Sequence, residues 1–332
     1  MIKATKELLD YLELEKDLQL WQVISAYANV IANYGGLEDG ELVGEYLLKN
    51  QGNYSLSALY AVVLKLGSKD LAEKFFQMAI SEGQLKEGYD LEILEVLGKF
   101  QLKNAKQMLV EYALGDSMYY TNRYAVKGLL YQDCEDIQER IRTSIESVYG
   151  KGLFNEEMPS LVCKLKDRAD VLERLYETGS ESCSSDCNGG IFLGFSLCGD
   201  EGLPYFKKAM FNPFWEAHYP PRHHVVEGMR NLGITFLEVF KEIQAFADLD
   251  KQEYGLKVLL SLLEVRLESE MTVVDAEESF KDLMYSLFTL RDGNYSGDLA
   301  EFAEKFGRRE EAYDLESLLR FRLREEAFFR CF

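Results

Sequence analysis

The amino-acid sequence predicts an all-α protein built from antiparallel helix pairs that stack along the chain. Three observations carry this prediction. Apolar residues recur at three- and four-residue spacing through most of the 332 residues, which is typical of amphipathic helices. The chain has 5 prolines, and four of them lie between Pro204 and Pro221, so long stretches lack the residue that most reliably breaks a helix. Short polar or glycine-containing turns separate the apolar runs at a nearly constant interval.

The turns divide the sequence into units of about 33 residues, each with two helix-like runs. The first run of successive units is predicted to end at residues 34, 66, 100, 131, 165, 198 and 232. Two helices joined by a short polar turn form a hairpin, and one hairpin alone cannot bury its apolar face, so neighbouring units must stack. The interval therefore predicts a right-handed α-solenoid of about eight or nine helix pairs over residues 1–332.

Within a unit, the apolar residues of each run fall on one helical face. In the unit that follows residue 53, these positions are Leu56, Leu59, Val62, Val63 and Leu66 in the first run and Leu71, Phe75, Met78 and Ala79 in the second. Regular units are predicted for 1–211, an irregular segment rich in proline, aromatic residues and histidine for 212–224, and further helix pairs with a terminal cap for 225–332. In that last part we expect helices at 254–267 and 275–290 and a hairpin that turns at Gly307.

Two units carry a family resemblance. The helix, Gly-Asp turn and second helix of Ile191–Met210, and the pattern of Leu56–Ala79, resemble the hairpins of HEAT-repeat proteins. The resemblance covers most of the chain as a pattern. It implies an α-solenoid, and proteins with that fold are mostly scaffolds that bind other proteins.

The balance of charge bears on the partner. The chain has 57 acidic and 37 basic residues, for a formal net charge of −20. Such a field repels nucleic-acid backbones and attracts basic proteins, although acidity also keeps a protein in solution. Acidic runs recur at 38–41, 133–139 and 264–278, and stacked units could merge them into one acidic groove. We therefore expect a basic protein partner and no nucleic acid.

The sequence also bears on location and cofactors. No signal peptide precedes the first amphipathic run, and no stretch approaches a membrane span, so we expect a cytoplasmic protein that binds no membrane. Six cysteines in such a chain are expected to be free thiols. No P-loop, dinucleotide fingerprint or H-E-x-x-H motif is present, and we expect neither a cofactor nor enzymatic activity.

The irregular segment 212–224 contains the candidate site. All 3 histidines fall within it, next to an aromatic cluster and a Pro-Pro pair. Exposed aromatic, Arg and His side chains on a stiff loop are typical of a binding hot spot, which here would comprise Phe214, Trp215, Tyr219, Arg222 and His223. Two alternatives stay open: an ordinary connection between units, or a metal site using His218, His223 and His224 with Cys183 and Cys187.

These observations favour a protein-binding scaffold. One form of it is an acidic inhibitor, such as an immunity protein that neutralises a basic toxin. The alternative is a helical-repeat enzyme of the lyase or glycosylase type, or a metal-binding protein that uses the His- and Cys-rich central region. An enzyme predicts a deep pocket with converging titratable groups, whereas a scaffold predicts a broad binding surface.

Overall fold

The computed structural model describes residues 1–14, 21–115, 119–147, 157–181, 185–213 and 222–270. These residues are mostly helical. The first helices along the chain are α1 Lys3–Leu14, α2 Trp21–Tyr34, α3 Leu37–Lys49, α4 Tyr60–Leu66, α5 Lys69–Ala79, α6 Ile93–Lys99, α7 Lys106–Leu114, α8 Tyr119–Leu129, α9 Gln138–Glu146 and α10 Ala169–Glu181. They are followed by α11 Ser185–Leu197, α12 Leu203–Met210, α13 Arg222–Leu232, α14 Phe236–Gln244 and α15 Leu249–Glu270.

Shorter elements complete the described chain. Turns of 3-10 helix lie at Tyr54–Leu59, Lys103–Ala105, Glu135–Ile137, Met158–Lys164 and Gly199–Glu201. The strands β1 Ile80–Ser81 and β2 Gln84–Leu85 form an antiparallel hairpin in which Ile80 pairs with Leu85. The prediction of an all-α protein is thus confirmed for the described residues, with this hairpin as an addition that the sequence pattern did not predict.

The helices end close to the predicted turns. The first helices of successive units were expected to end at 34, 66, 100, 131, 165, 198 and 232. The observed ends are Tyr34, Leu66, Lys99, Leu129, Lys164, Leu197 and Leu232. The predicted helix at 254–267 lies within α15. The helices expected at 275–290 and around Gly307 lie outside the described residues.

The chain forms two compact units, Met1–Thr178 and Gly179–Phe332. The boundary between them falls between Thr178 and Gly179, within α10. Within the described ranges, no helix combines the length and apolar character needed to cross a bilayer.

The first unit contains two rows of helices. One row, called here the first-helix row, consists of α2, α4, α6, α8 and the 3-10 helix Met158–Lys164, each packed on the next. The other, the second-helix row, contains α3, α5, α7, α9 and α10. Hydrogen bonds join first helices of neighbouring helix pairs. Lys65 Nζ donates to Asn33 Oδ1 over 2.8 Å, and Gln132 Nε2 donates to the Gly98 carbonyl over 2.9 Å. These two bonds join C-terminal ends, and the bonds of Tyr60 to Asp90 and of Tyr124 to Glu92 join N-terminal ends, so α4, α6 and α8 run in the same direction.

Glycine allows two first helices to approach closely. A Cβ atom on Gly98 of α6 would lie 2.3 Å from both the Cα and the carbonyl oxygen of Gly128 in α8. Only a residue without a side chain fits where two backbones meet in this way. Around this contact, the row buries apolar side chains completely, among them Leu94, Leu97 and Leu129.

Capping residues set where several helices begin. The Ser68 side chain accepts a hydrogen bond from the Leu71 amide over 3.1 Å and starts α5. In the second unit, Thr235 and Glu238 form a reciprocal capping box at the start of α14. Such caps satisfy amides that have no partner within the helix, and they fix the position of the turn between two paired helices.

The second unit has its own apolar core. Helix α11 packs on α12 and α13, and α15 packs on α13 and α14. Phe192 and Phe206 meet edge to face with ring centroids 5.4 Å apart, and Phe206 lies against Gly228 of α13. Asn231 Nδ2 donates to the buried hydroxyl of Ser196 over 3.1 Å, which links α13 to α11.

Candidate binding site at the N-terminal edge of the first helices

Three carboxylates lie where first helices of the first unit begin. Asp90 and Glu92 immediately precede α6, and Glu157 immediately precedes the 3-10 helix Met158–Lys164. Because the first helices run parallel, these residues belong to one edge of the row, called here the N-terminal edge. Each carboxylate is bound by side chains that come from a neighbouring first helix or the turn before it.

Asp90 is half-buried in a cluster of neutral donors. Tyr60 at the start of α4 donates its hydroxyl hydrogen to Asp90 Oδ2 over 2.9 Å, and the Gly52 amide donates to Oδ1 over 2.8 Å. The Gln51 side chain contacts both Tyr60 and the Asp90 amide. Burial raises the pKa of Asp90, and the hydrogen bonds from Tyr60 and Gly52 offset part of that rise.

Glu92 is bound in a similar way, by a tyrosine of the next helix pair. Tyr124 of α8 donates its hydroxyl hydrogen to Glu92 Oε1 over 3.0 Å. Burial is again the largest influence and raises the pKa of Glu92, and the nearby charge of Asp90 raises it further. Lys127 acts in the opposite direction, but among the described residues no cation lies within salt-bridge distance of Asp90 or Glu92.

Glu157 has the contrasting environment of a buried ion pair. Its side chain is 0% exposed, and its Oε1 lies 3.1 Å from Arg123 Nε and 3.5 Å from Lys127 Nζ. Both cations come from α8, so this cluster fixes the 3-10 helix Met158–Lys164 against α8. Two positive charges lie near Oε1 of this buried carboxylate, which indicates a structural role for Glu157.

Aromatic side chains accompany the carboxylate pair. Tyr54, two residues after Gly52, is 89% exposed, and Tyr89 adjoins Asp90. Lys86 lies over the Tyr89 ring, with Nζ 5.8 Å from the centroid. Tyr54 is exposed and Tyr89 is half-buried, and aromatic rings attract a guanidinium or ammonium group as carboxylates do.

The acidic runs expected to form a groove are mostly bound within the chain. Asp39 is buried and accepts hydrogen bonds from Thr5 Oγ1 over 2.6 Å and from the Ile2 amide over 2.8 Å. In the run 133–139, Asp136 pairs with Lys106 over 2.7 Å and Glu135 with Lys166 over 3.0 Å. The run 264–278 contributes no described side chain.

The residues predicted from the irregular segment 212–224 are only partly placed. Arg222 and His223 lie in the first turn of α13, so the helix begins directly after the Pro-Pro pair and not after residue 224. A proline lacks the amide that a helix interior needs, which explains a start at this point. Outside the described residues lie Phe214, Trp215, His218, Tyr219 and Cys183, and Cys187 lies in α11.

His224 lies in a packed position, whereas its neighbour is exposed. A Cβ atom on Gly189 of α11 would come within 2.4 Å of His224 Cδ2, so the ring lies directly against that helix. His223 is exposed. No group of three or more His, Cys, Asp or Glu side chains suited to a metal ion occurs among the described residues.

The N-terminal edge has a local signal in the sequence, although the predicted site lay elsewhere. Acidic residues directly precede two first helices, at Asp90 and Glu92 before Ile93 and at Glu157 before Pro159, and proline in a first turn marks a helix start. What the sequence does not show is the pairing with Tyr60 and Tyr124.

Comparison of the chain with protein-family models, with curated proteins and with solved structures finds no match.

Proposed function

We propose that this protein is a binding scaffold, an α-solenoid of HEAT-like helix pairs whose N-terminal edge binds a basic protein. The observation that supports it best is the pair Asp90 and Glu92, two half-buried carboxylates whose hydrogen-bond donors are all neutral. Their raised pKa values mean that ionising these carboxylates costs more free energy in the folded protein than in water. A cation from a partner would reduce this cost, and sites with perturbed carboxylates are often functional.

The arrangement of the first unit favours recognition over an extended surface. Its first helices begin at one edge, so each added helix pair lengthens that edge and repeats its geometry. Tyr54, two residues after the Gly52 amide that binds Asp90, adds an exposed ring, and tyrosine is enriched at the centres of protein interfaces. The inhibitor of a basic toxin expected from the sequence is a special case of this proposal, in which partner binding also blocks the partner's activity.

A binding measurement with a matched control tests the proposal. The probe is a fluorescein-labelled hexa-arginine peptide, and the readout is fluorescence anisotropy with the full chain. The double variant Asp90→Asn with Glu92→Gln removes both charges with little change in shape. The control, Glu139→Gln with Glu146→Gln, makes the same change in net charge at exposed carboxylates of α9. Circular dichroism checks that all variants are folded.

We expect the edge variant to bind about tenfold more weakly, since losing about 1.4 kcal/mol of charge pairing is a tenfold loss of affinity. The control is expected to bind within about twofold of the parent protein, because an exposed charge beyond the Debye length of about 8 Å is screened at physiological salt. Equal weakening by the two double variants would show that only net charge matters and would contradict the proposal. Affinity capture from cells with the parent and the edge variant then identifies the partner that depends on this edge.

A further inference from the structure

The second-helix row of the first unit is joined by ion pairs between neighbouring helices, with one interruption. Lys74 of α5 binds Glu45 of α3. Arg140 of α9 lies 3.1 Å from Glu111 of α7. The next pair, Arg142 of α9 with Asp170 of α10, is 2.8 Å apart. Among the described residues no ion pair joins α5 to α7, and these two helices have at most slight contact, whereas α3 packs on α5 and α7 packs on α9.

The β-hairpin accounts for one end of this gap. It follows the C-terminal end of α5, and the Leu85 amide of β2 donates to the hydroxyl of Tyr112 in α7 over 3.0 Å. The hairpin therefore links the C-terminal end of α5 to α7. A cleft of about 410 Å³ opens between α5 and the turn before α7. Ligand pockets commonly have volumes of about 300–1,000 Å³.

The lining of the cleft combines apolar surface with lysine. One face of α5 contributes four residues, and the turn before α7 contributes three: Lys69, Glu73, Phe76 and Gln77, then Leu102, Lys103 and Asn104. Lys69 and Lys103 are exposed, and within the described part of the chain neither has a carboxylate partner. Elsewhere in this row the lysines Lys74 and Lys106 are both paired.

We propose that this cleft binds a short acidic peptide segment of a second partner, with an apolar side chain against Phe76 and carboxylates on Lys69 and Lys103. Charge complementarity is the basis of this assignment, because the two lysines outnumber the one carboxylate of the lining, Glu73. The segment would lie between α5 and the turn before α7, where these two helices have at most slight contact. The inference is independent of the proposed function, which concerns the opposite charge at the first-helix row.

The test uses the full chain and a fluorescein-labelled peptide of sequence Asp-Glu-Leu-Phe-Asp-Glu, measured by anisotropy at about 0.15 M salt, where the Debye length of about 8 Å limits repulsion by the chain's net charge. The cleft variant is Lys69→Glu with Lys103→Glu. The control, Lys6→Glu with Lys49→Glu, makes the same change in charge at exposed residues of α1 and α3. Thermal unfolding checks that both are folded.

We expect the cleft variant to bind the peptide at least about tenfold more weakly, the control to bind it unchanged, and Glu73→Gln to bind it about two- to fivefold more tightly, since each exposed charge contributes about 0.5–1 kcal/mol. A version of the peptide with lysine at each acidic position should not bind to the cleft. The proposal is overturned if the parent protein does not bind the acidic peptide, or if the cleft variant and the control weaken binding equally.

Discussion

Replacing Gly98 by alanine tests the close contact between α6 and α8. The added Cβ would lie 2.3 Å from two backbone atoms of Gly128, whereas ordinary contacts of a Cβ begin at 3.4 Å. Neither backbone can turn away as a side chain could, so α6 and α8 must separate by about 1 Å. Overpacking of this kind costs about 1–3 kcal/mol, and a backbone contact belongs at the upper end.

Helix propensity acts against this loss and must be subtracted. Alanine is better than glycine in a helix by about 1 kcal/mol, so the net loss expected for Gly98→Ala is about 2 kcal/mol. Urea unfolding of the full chain, followed by circular dichroism, measures it through the midpoint and slope. A suitable control is Gly36→Ala, where a Cβ meets nothing within 4 Å. If Gly98→Ala is as stable as the parent protein, α6 and α8 do not approach as described.

Three further predictions follow from caps and charges. Ser68→Ala removes the cap of α5 and should lower the free energy of unfolding by about 1 kcal/mol, measured by urea unfolding with Ser57→Ala as control. Glu157→Gln removes the buried charge that Arg123 and Lys127 contact and should cost about 1–3 kcal/mol by the same assay; an effect below that of Ser68→Ala would contradict its role. Burial raises the pKa values of Asp90 and Glu92 in the folded protein. Their contribution to the free energy of unfolding should therefore decrease as the pH rises from about 4 through these raised pKa values. Unfolding between pH 4 and 7 checks this, and the edge variant should lose that part of the pH dependence.

The helix ends could be predicted from the sequence because the signals for them are local. The turn at Gly67 and Ser68, for example, combines a helix-ending glycine with a capping serine, and both act within a few residues. The β-hairpin was missed for a related reason. Its strands have two residues each, too few for an alternating pattern, and its turn at Glu82 and Gly83 depends on positive φ angles of 52° and 74°.

The candidate site could not be predicted in the same way, because its chemistry comes from contacts between neighbouring helix pairs. Asp90 and Glu92 look like ordinary solvated acids in sequence. They become distinctive only when Tyr60, 30 residues before Asp90, and Tyr124, 32 residues after Glu92, bury them and bind their oxygens. The prediction instead placed the site in the histidine segment, because an unusual residue composition can be seen in a sequence and the burial of a side chain cannot. The prediction that Arg222 and His223 bind a partner stays a prediction.

The ion pairs also separate the acidity that holds this fold together from the acidity that a partner can use. Glu45, Glu111 and Asp170 contribute to the formal charge of −20, yet each is already paired with a basic residue of a neighbouring helix. Net charge therefore overstates what a basic protein would meet at the second-helix row. At the N-terminal edge the reverse holds, because Asp90 and Glu92 are few but have no salt-bridge partner among the described residues. A partner that binds there should respond to these two residues far more than to the number of acidic residues in the chain, and its affinity should fall with salt as two charges predict and not as twenty would.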